Sequence, residues 1–237
     1  MKVRIHAYAD SRPEFIPWQL WSFTRFLTDD FEYIVFNNAA TKSDERKINE
    51  ICAELGIPSV EMPERNGNGG PSYGRALQWS FHGWIKNETG ALAALVKPDL
   101  FLTGPFSIVD YLKGFDAAGI PQRKGPISYL AADLFFFNLD TLPGKDEISF
   151  LDALIDGIPV EAGGGLHYWL HNHPDLRLRP IEVRIKNYRN STGIDYYIFK
   201  SYQEVLLHYG VDCCWDRASD EYHRDKTAFL GELLQAK

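Results

Sequence analysis

The chain has 237 residues, of which 45% are hydrophobic and 14% aromatic, so it can bury a sizeable core and is not disordered as a whole. Its formal net charge of −7 disfavours a general nucleic-acid binder, which is usually basic over at least one domain. The three cysteines are too few for a disulfide framework and indicate a reducing compartment. The first residues lack the apolar core of a signal peptide, and no apolar run approaches the roughly 20 residues of a membrane span. We therefore expect a soluble, cytoplasmic protein.

The first third of the chain alternates predicted strands and helices. Residues 3–8 and 31–36 are predicted strands because both are short and apolar. Between them, Ser11 as N-cap and Glu14 closing a capping box predict the start of a helix. A second helix is predicted around residues 48–55, where apolar side chains recur at i, i+3, i+4 and i+7. Its Cys52 lies on the apolar stripe and is expected to be an inert core residue.

A glycine-rich segment, residues 66–72, lies between a predicted strand at 59–62 and a predicted helix at 73–85. Free backbone N–H groups at a helix start favour anionic groups. The segment is therefore either a phosphate-binding turn or an ordinary turn. Arg75, in the first turn of the helix, is the natural phosphate partner in the first case and a surface arginine in the second.

The apolar run at residues 91–96 ends in two opposite charges, Lys97 and Asp99. Since α/β sheets bind ligands outside the carboxyl ends of their strands, both charges are predicted to lie where a ligand is handled. Three roles for Lys97 stay open at this point. It is a surface residue, a contact to a diphosphate or ribose beside a metal held by Asp99, or an ammonium group that replaces the metal.

The pattern changes after residue 125. Residues 127–130 and 134–139 are predicted strands, residues 148–155 a helix, residues 166–172 a second helix opened by three glycines, and residues 176–185 a half-exposed strand whose register shifts at a proline. Apolar residues from 205 precede His208, and a last helix is predicted from about Ser219.

A short helix is also predicted from Ser107 to Leu112, where Gly114 ends it. Up to this helix strands and helices alternate four times, which favours an open, mainly parallel sheet. The chain shows no internal repeat and no linker-like segment. We therefore predict one α/β domain over residues 1–237, with a nucleotide-binding half (1–106) and a mixed second half (107–237).

Several stretches of the first half follow one another in an order that is typical of a known family. They are Arg12-Pro13-Glu14-Phe15, Asn37-Asn38, Ser72-Tyr73, Ala76-Leu77-Gln78-Trp79 and Asp99-Leu100-Phe101-Leu102 with Pro105-Phe106-Ser107. This order resembles the GT-A fold glycosyltransferases, and most of all small bacterial and viral members such as the rhamnosyltransferase domain of chlorella viruses. The resemblance implies a GT-A (Rossmann-like) single domain with a mainly parallel central sheet flanked by helices, in which residues 107–237 form the acceptor side.

Stretches of the second half agree with the same family. They are Leu134-Phe135-Phe136-Phe137-Asn138, Val160-Glu161-Ala162-Gly163-Gly164, Leu207-His208-Tyr209 and Lys226-Thr227. The resemblance implies a hexosyl- or deoxyhexosyl-transferase that moves a sugar from a nucleotide-diphosphate sugar to a glycan or another hydroxyl acceptor, in surface- or capsid-glycan synthesis. It also implies a divalent cation, Mn²⁺ or Mg²⁺.

The resemblance assigns roles to individual residues. Asp99, as the second acid of an Asp-x-Asp pattern, and His208 are the implied metal ligands. Glu161 is the expected catalytic base, because the three glycines 163–165 that follow it would let a substrate approach the backbone closely, and Asp133 is in reserve. The nucleotide is expected to contact residues at the strand ends and at the third helix, namely Tyr8, Asp10, Arg12, Asn37, Ser72, Arg75, Lys97 and Asp99. Tyr8 is equally compatible with a core position.

The chain departs from the family pattern at three places. Lys97 replaces the first acid of Asp-x-Asp, Asp133 replaces a small residue, and the vicinal pair Cys213 and Cys214 replaces small polar residues. One alternative is therefore a non-catalytic relative that binds sugar nucleotides or glycans and has a degenerate metal site.

Two further alternatives follow from spacing alone. His167, His171 and His173 include an i, i+4 pair on a predicted helix, which is a zinc-ligand spacing. The neighbours Cys213 and Cys214 are a candidate redox pair, although adjacent cysteines seldom pair without strain.

Overall fold

The computed structural model describes residues 2–39, 41–63, 73–189, 196–210 and 220–235. The chain divides into two compact units. Unit 1 comprises Met1–Pro17, Asp29–Pro98 and Ser107–Ile181, and unit 2 comprises Trp18–Thr28, Asp99–Phe106 and Glu182–Lys237. The single domain over residues 1–237 stays a prediction.

The strands, in chain order, are β1 (Lys2–Ala9), β2 (Phe31–Asn37), β3 (Ser59–Glu61), β4 (Ala91–Val96), β5 (Leu100–Leu102), β6 (Ala117–Lys124), β7 (Ile127–Asn138), β8 (Ala153–Ile155), β9 (Ile158–Val160), β10 (Leu178–Pro180), β11 (Val183–Arg189), β12 (Tyr196–Tyr202) and β13 (Leu206–His208). The α-helices are α1 (Phe15–Phe26), α2 (Lys42–Leu55), α3 (Tyr73–Gly83), α4 (Ile108–Tyr111), α5 (Leu166–Asn172) and α6 (Asp220–Gln235). Among these described helices, none has both the length and the apolar composition needed to cross a bilayer.

Unit 1 is built on a seven-stranded sheet in the order β10-β6-β7-β4-β1-β2-β3. Within the described sheet, β7 alone runs antiparallel to its neighbours. The core joins apolar side chains of the sheet to those of α3 and α5, including Phe81 and Trp169, which are fully buried. The predicted α/β class with a mainly parallel central sheet flanked by helices is confirmed.

The pairing of β4 with β7 positions the first group of candidate residues. All six residues of β4 are buried, because the strand lies between β1 and β7 in the middle of the sheet. Its last residue, Val96, is opposite Leu134 of β7. One step beyond this pair, Lys97 and Asp133 therefore face each other across the two strands.

Unit 2 contains a four-stranded antiparallel sheet in the order β11-β12-β13-β5. The ring of Phe229, from α6, lies 5.3 Å from that of Tyr188 and 5.2 Å from that of Tyr197. His208, at the end of β13, is opposite Leu100, at the start of β5. This register brings His208 next to Asp99, the residue that precedes Leu100.

Helix α1 begins at Phe15, three residues later than the capping pattern predicted. The Ser11 hydroxyl donates to Asp10 Oδ1 at 3.0 Å instead of capping the helix. The amide of Phe15 donates to the Arg12 carbonyl, so a turn precedes the first helical residue. The polar residues before the helix therefore form a loop at the end of β1.

The helix predicted over residues 148–155 is wrong. Strands β8 and β9 form a hairpin there, with Asp156 and Gly157 at φ values of 50° and 78°. A two-residue hairpin turn of type I′ needs positive φ at both central positions, and Asp-Gly favours this turn type. The Asp-Gly dipeptide is thus a better signal in this segment than the apolar spacing.

Three further differences concern strands. The two strands predicted at 127–130 and 134–139 are one strand, β7, whose partner β6 shifts register between Gly119 and Ile120. The predicted strand 176–185 is two strands, β10 and β11, in different sheets. The sequence did not predict β6 because its glycine, proline and charged residues obscure the strand pattern.

Candidate functional site

Lys97 and Asp133 form an ion pair in unit 1. The Nζ atom of Lys97 lies 2.5 Å from Oδ1 of Asp133, and the two side chains are 29% and 20% exposed. The same ammonium lies 5.4 Å from the ring centroid of Tyr73, at the start of α3. The positive charge that the sequence predicted at the end of β4 is therefore balanced by a carboxylate of the neighbouring strand.

Asp99 and His208 meet in unit 2. The distance from His208 Nε2 to Asp99 Oδ2 is 3.2 Å, and both side chains are more than nine-tenths buried. The Tyr202 hydroxyl lies 2.9 Å from the other ring nitrogen, Nδ1. When Tyr202 donates to Nδ1, Nε2–H donates to Asp99. When Nδ1–H donates to Tyr202, the Nε2 lone pair and the carboxylate face the same point, as two ligands of one cation do.

Two backbone amides of the turn after β13 donate hydrogen bonds to Asp99. The Tyr209 amide donates to the Asp99 carbonyl at 2.9 Å, and the Gly210 amide donates to Asp99 Oδ2 at 3.0 Å. Hydrogen bonds from backbone N–H groups stabilise the ionised form of a carboxylate. The turn therefore provides two backbone N–H groups that hold Asp99 in its buried position.

A buried lysine lies below this turn. Lys226, in α6, donates to the carbonyl oxygens of Ile198 and Tyr209 at 2.7 Å each. Burial lowers the pKa of Lys226 to about 8, against the smaller opposing effect of the Asp99 charge. The sequence offered only a resemblance at this position, because burial of a lysine depends on the packing of α6.

Glu161 follows β9 directly and is exposed. Its Oε1 atom accepts a hydrogen bond from the Tyr129 hydroxyl at 2.8 Å. Burial raises the pKa of Tyr129 to about 12, and the nearby Glu161 carboxylate acts in the same direction. Tyr129 thus remains a proton donor to Glu161 and fixes the orientation of one carboxylate oxygen.

The glycines after Glu161 contact the protein itself. A Cβ atom at Gly163, where φ is +95°, would lie 2.1 Å from the Leu130 carbonyl oxygen. A Cβ atom at Gly165 would lie 2.5 Å from the Ser149 hydroxyl. At Gly163 and Gly165, residues of the protein itself therefore lie against the backbone where a substrate was expected to approach.

Two of the expected nucleotide contacts have structural partners. Tyr8 is buried, its hydroxyl lies 2.7 Å from the Ser80 hydroxyl, and its ring stacks on Phe36, which is the core position that the sequence left open. Asn37 is also buried, and its amide donates to the Glu45 carbonyl at 3.1 Å, which ties the end of β2 to α2.

Three others lie at the surface of unit 1. Asp10 is exposed and accepts from the Ser11 amide at 2.5 Å. The guanidinium of Arg12 lies 3.0 Å from the Glu14 carboxylate. Arg75 is exposed in the first turn of α3, whereas Ser72 lies outside the described residues.

The histidine cluster of the zinc hypothesis does not converge. His167 Nδ1 lies 2.9 Å from the Ser128 carbonyl oxygen, and His173 Nε2 lies 3.4 Å from a Glu147 carboxylate oxygen. No group of three or more His, Cys, Asp or Glu side chains is arranged as a metal site in the part of the chain that the structure describes. Among the described residues, these histidines therefore have no three-ligand zinc site.

The cysteines give no redox site in the described residues. Burial raises the pKa of the Cys52 thiol to about 11, as expected for an inert core residue. Cys213 and Cys214 lie outside the described residues.

Three residues that the sequence did not single out support the candidate groups. They are Tyr129 behind Glu161, Tyr202 behind His208 and Lys226 behind the turn that holds Asp99. They lie in β7, β12 and α6, at separations of 32, 6 and 17 residues from Glu161, His208 and Tyr209. A buried tyrosine or lysine has no local sequence signature, so only the tertiary structure identifies them.

Neither a protein-family model nor a curated protein sequence matches the chain. Among solved structures, the chain is similar to the mannosyltransferase PcManGT from Pyrobaculum calidifontis in complex with GDP-Man and Mn²⁺, with 14% identity, a TM-score of 0.46 and coverage of 75% of this chain and 54% of that one. It is also similar to the bifunctional glycosyltransferase WbbM in its apo form, with 8% identity, a TM-score of 0.41 and coverage of 63% and 33%. The chain thus spans about half the length of the first protein and a third of the second. A function for this chain has to be argued from its own residues.

Proposed function

We propose that this protein is a glycosyltransferase that moves a hexosyl or deoxyhexosyl group from a nucleotide-diphosphate sugar to a hydroxyl acceptor, with a divalent cation at Asp99 and His208. The observation that carries the proposal is the buried contact between these two residues, 3.2 Å from Nε2 to Oδ2. A buried carboxylate and a buried imidazole brought together from distant positions in the sequence are typical of a ligand site.

The donor atoms fit Mn²⁺ or Mg²⁺. Two neighbouring ligands of an octahedral ion, each about 2.1 Å from it, lie about 3 Å apart. The Tyr202 oxygen lies where it can accept the Nδ1 proton of His208, the second hydrogen bond that metal-binding histidines usually make. When bound, the cation would supply positive charge to the departing diphosphate. Two protein ligands suffice because Mg²⁺ commonly keeps waters and substrate phosphates in its shell.

Residues of unit 1 would handle the donor and the proton. Lys97 would contact the diphosphate or ribose through its ammonium group, which also pairs with Asp133. Glu161 would take the acceptor proton on Oε2, because Oε1 already accepts from Tyr129.

The alternative is a non-catalytic relative that binds a sugar nucleotide or a glycan. It rests on Lys97, which stands where the resembled family has the first acid of Asp-x-Asp, so that one carboxylate of the implied cation site is replaced by a lysine. Both functions predict nucleotide binding, and only the enzyme predicts turnover.

The test is release of nucleoside diphosphate from a panel of nucleotide-diphosphate sugars, with Mn²⁺ and with EDTA. The proposal expects release with at least one donor, its loss in EDTA, and its loss in His208→Ala. Lys186→Met, a substitution at a half-buried position of the same unit, is the control. Nucleotide binding without release in any condition would favour the non-catalytic alternative, and release that survives EDTA would remove the cation from the proposal.

A further inference from the structure

Lys226 is a buried ammonium whose hydrogen bonds all go to backbone carbonyls. The residue is only 4% exposed. It donates to Ile198 in β12 and to Tyr209 just after β13, at 2.7 Å each. Because burying a charge is costly unless it is hydrogen-bonded, these two carbonyls determine where the ammonium can lie. Lys226 therefore links α6 to the end of β13.

Aromatic rings hold the ammonium in place. Its Nζ atom lies 4.6 Å from the ring centroid of Phe199, 4.4 Å from that of Tyr209 and 5.8 Å from that of Tyr222. Cation–π attraction at such distances is strongest when the charge is desolvated. The ammonium is thus fixed from several sides, and the carbonyl of Tyr209 is fixed with it.

The segment that Lys226 holds is the one that contacts Asp99. His208, Tyr209 and Gly210 each contact Asp99, through Nε2, the Tyr209 amide and the Gly210 amide respectively. Tyr209 is at the centre of this turn. Its N–H bonds to Asp99 and its C=O bonds to Lys226, so the orientation of this residue determines how the turn meets the carboxylate.

We propose that Lys226 is a positioning residue for the Asp99–His208 pair: by holding the Tyr209 carbonyl, it sets the His208–Gly210 turn in the geometry in which imidazole and carboxylate share a cation. The cation itself rests on the proposed function. Lys226 does not touch the cation or the substrate. It acts through the backbone of Tyr209.

A positioning role and a purely electrostatic role of Lys226 predict opposite changes in divalent-cation affinity when the lysine is replaced. Removing a positive charge near Asp99 should strengthen binding of a divalent cation. Removing a support of the turn should weaken it, because outer-shell partners contribute 10- to 100-fold to metal affinity in proteins. The direction of the change therefore separates a positioning role from a purely electrostatic one.

The experiment measures Mn²⁺ affinity from the EPR signal of free Mn²⁺ in wild type, Lys226→Met and Lys226→Gln. Methionine keeps the apolar stem but makes no hydrogen bond to the carbonyls, whereas glutamine keeps N–H donors without the charge. We expect roughly tenfold weaker binding in Lys226→Met and a value between that and wild type in Lys226→Gln. Lys186→Met is the matched control, because Lys186 also donates to a backbone carbonyl of unit 2, that of Glu204, and should leave the affinity unchanged.

Unchanged or tighter Mn²⁺ binding in Lys226→Met would overturn the positioning role. If that variant does not fold, Lys226→Gln decides in the same way. A metal-free readout separates this proposal from the proposed function: the ring signals of His208 in long-range ¹H–¹⁵N spectra, identified with a His208→Gln variant. If the wild type binds no Mn²⁺, the proposed function fails, and the His208 ring signals still test the positioning role of Lys226. A shift in Lys226→Met supports positioning, and unchanged signals overturn it.

Discussion

The two acidic residues near the ends of the candidate strands have partners of different kinds. Asp133, in unit 1, is paired with the ammonium of Lys97. Asp99, in unit 2, is paired with an imidazole and with backbone N–H groups. A cation would have to displace the lysine to bind Asp133, whereas a neutral His208 is itself a ligand. The comparison explains why the cation is proposed at Asp99.

The same comparison gives a reason for two departures from the resembled family. Lys97 and Asp133 are separate anomalies in the sequence, but they face each other at the end of β4 and β7. An unpaired lysine or an unpaired aspartate in this partly buried position would be unfavourable. Together they form a compensated pair, so each departure accounts for the other.

The largest expected effect concerns the division of roles between the units. Glu161→Gln should lower turnover by about 10²- to 10⁴-fold, the usual contribution of a general base, and leave Mn²⁺ and nucleotide affinities unchanged. Steady-state kinetics with the best donor, together with calorimetry, checks this. Asp152→Asn, another exposed carboxylate of unit 1, should behave as wild type. Full activity of Glu161→Gln would show that the base lies elsewhere.

The next prediction compares the two acids directly. Asp99→Asn should weaken Mn²⁺ binding more than about 100-fold, because a ligand should contribute more than an outer-shell partner. Asp133→Asn should change Mn²⁺ affinity by less than about threefold, because the Asp133 carboxylate is paired with Lys97 and is not a proposed ligand of the cation. Titration of both variants by EPR gives the ratio. Equal losses would contradict the comparison and assign the cation to unit 1 as well.

Lys226 and Lys97 differ in burial, and we expect this difference to appear in the pH dependence of the free energy of unfolding. Burial lowers the pKa of Lys226 to about 8 from its ordinary value of 10.5. Above pH 8 the unfolded chain therefore binds more protons at this residue than the folded one, so the free energy of unfolding should rise with pH, by about 2 kcal/mol between pH 7 and 9.5. Urea unfolding across this range measures the slope.

The matched variant for this prediction is Lys226→Met, in which the rise should disappear. Lys97→Met keeps the rise, because Lys97 is partly exposed and paired with a carboxylate. A wild-type slope that equals the Lys226→Met slope would show that the lysine is not desolvated in solution.

The smallest effect tests whether Asp133 reduces the effective charge of Lys97. Lys97→Ala should weaken nucleoside-diphosphate binding about tenfold, the value of one hydrogen bond to a charged group. Asp133→Asn should strengthen it several-fold, since it releases the ammonium from its partner. Isothermal titration calorimetry measures both. If Lys97→Ala binds the nucleotide as wild type does, direct contact between Lys97 and the phosphates is excluded.

Elements with a strong local pattern were predicted well. Helix α2 ends at Gly56 as expected, with Gly56 in the left-handed region and Thr41 as the N-cap. Strand β4 coincides with the apolar run at residues 91–96. The failures lie where local signals conflict, as in residues 148–155, where apolar spacing suggested a helix and Asp156-Gly157 makes a hairpin.

The candidate site was predictable only in part. The resemblance gave Asp99 and His208 as partners, and their separation of 3.2 Å agrees with that expectation without testing the metal. No sequence pattern gave Tyr129 as the partner of Glu161, because their contact depends on how β7 and β9 lie in unit 1. Glycines 163–165 suggested room for a substrate, whereas the structure packs Gly163 and Gly165 against the chain itself.

The sequence by itself determined the alternation of strands and helices, the buried character of β4 and the two charges that follow it. These features depend on the spacing of apolar residues over short distances, and that spacing is visible in the chain. Only the tertiary structure decided that Lys97 is neutralised by Asp133 and that Asp99 is held by His208 and the turn above Lys226. These contacts depend on strand order and register, in which residues far apart in sequence become neighbours.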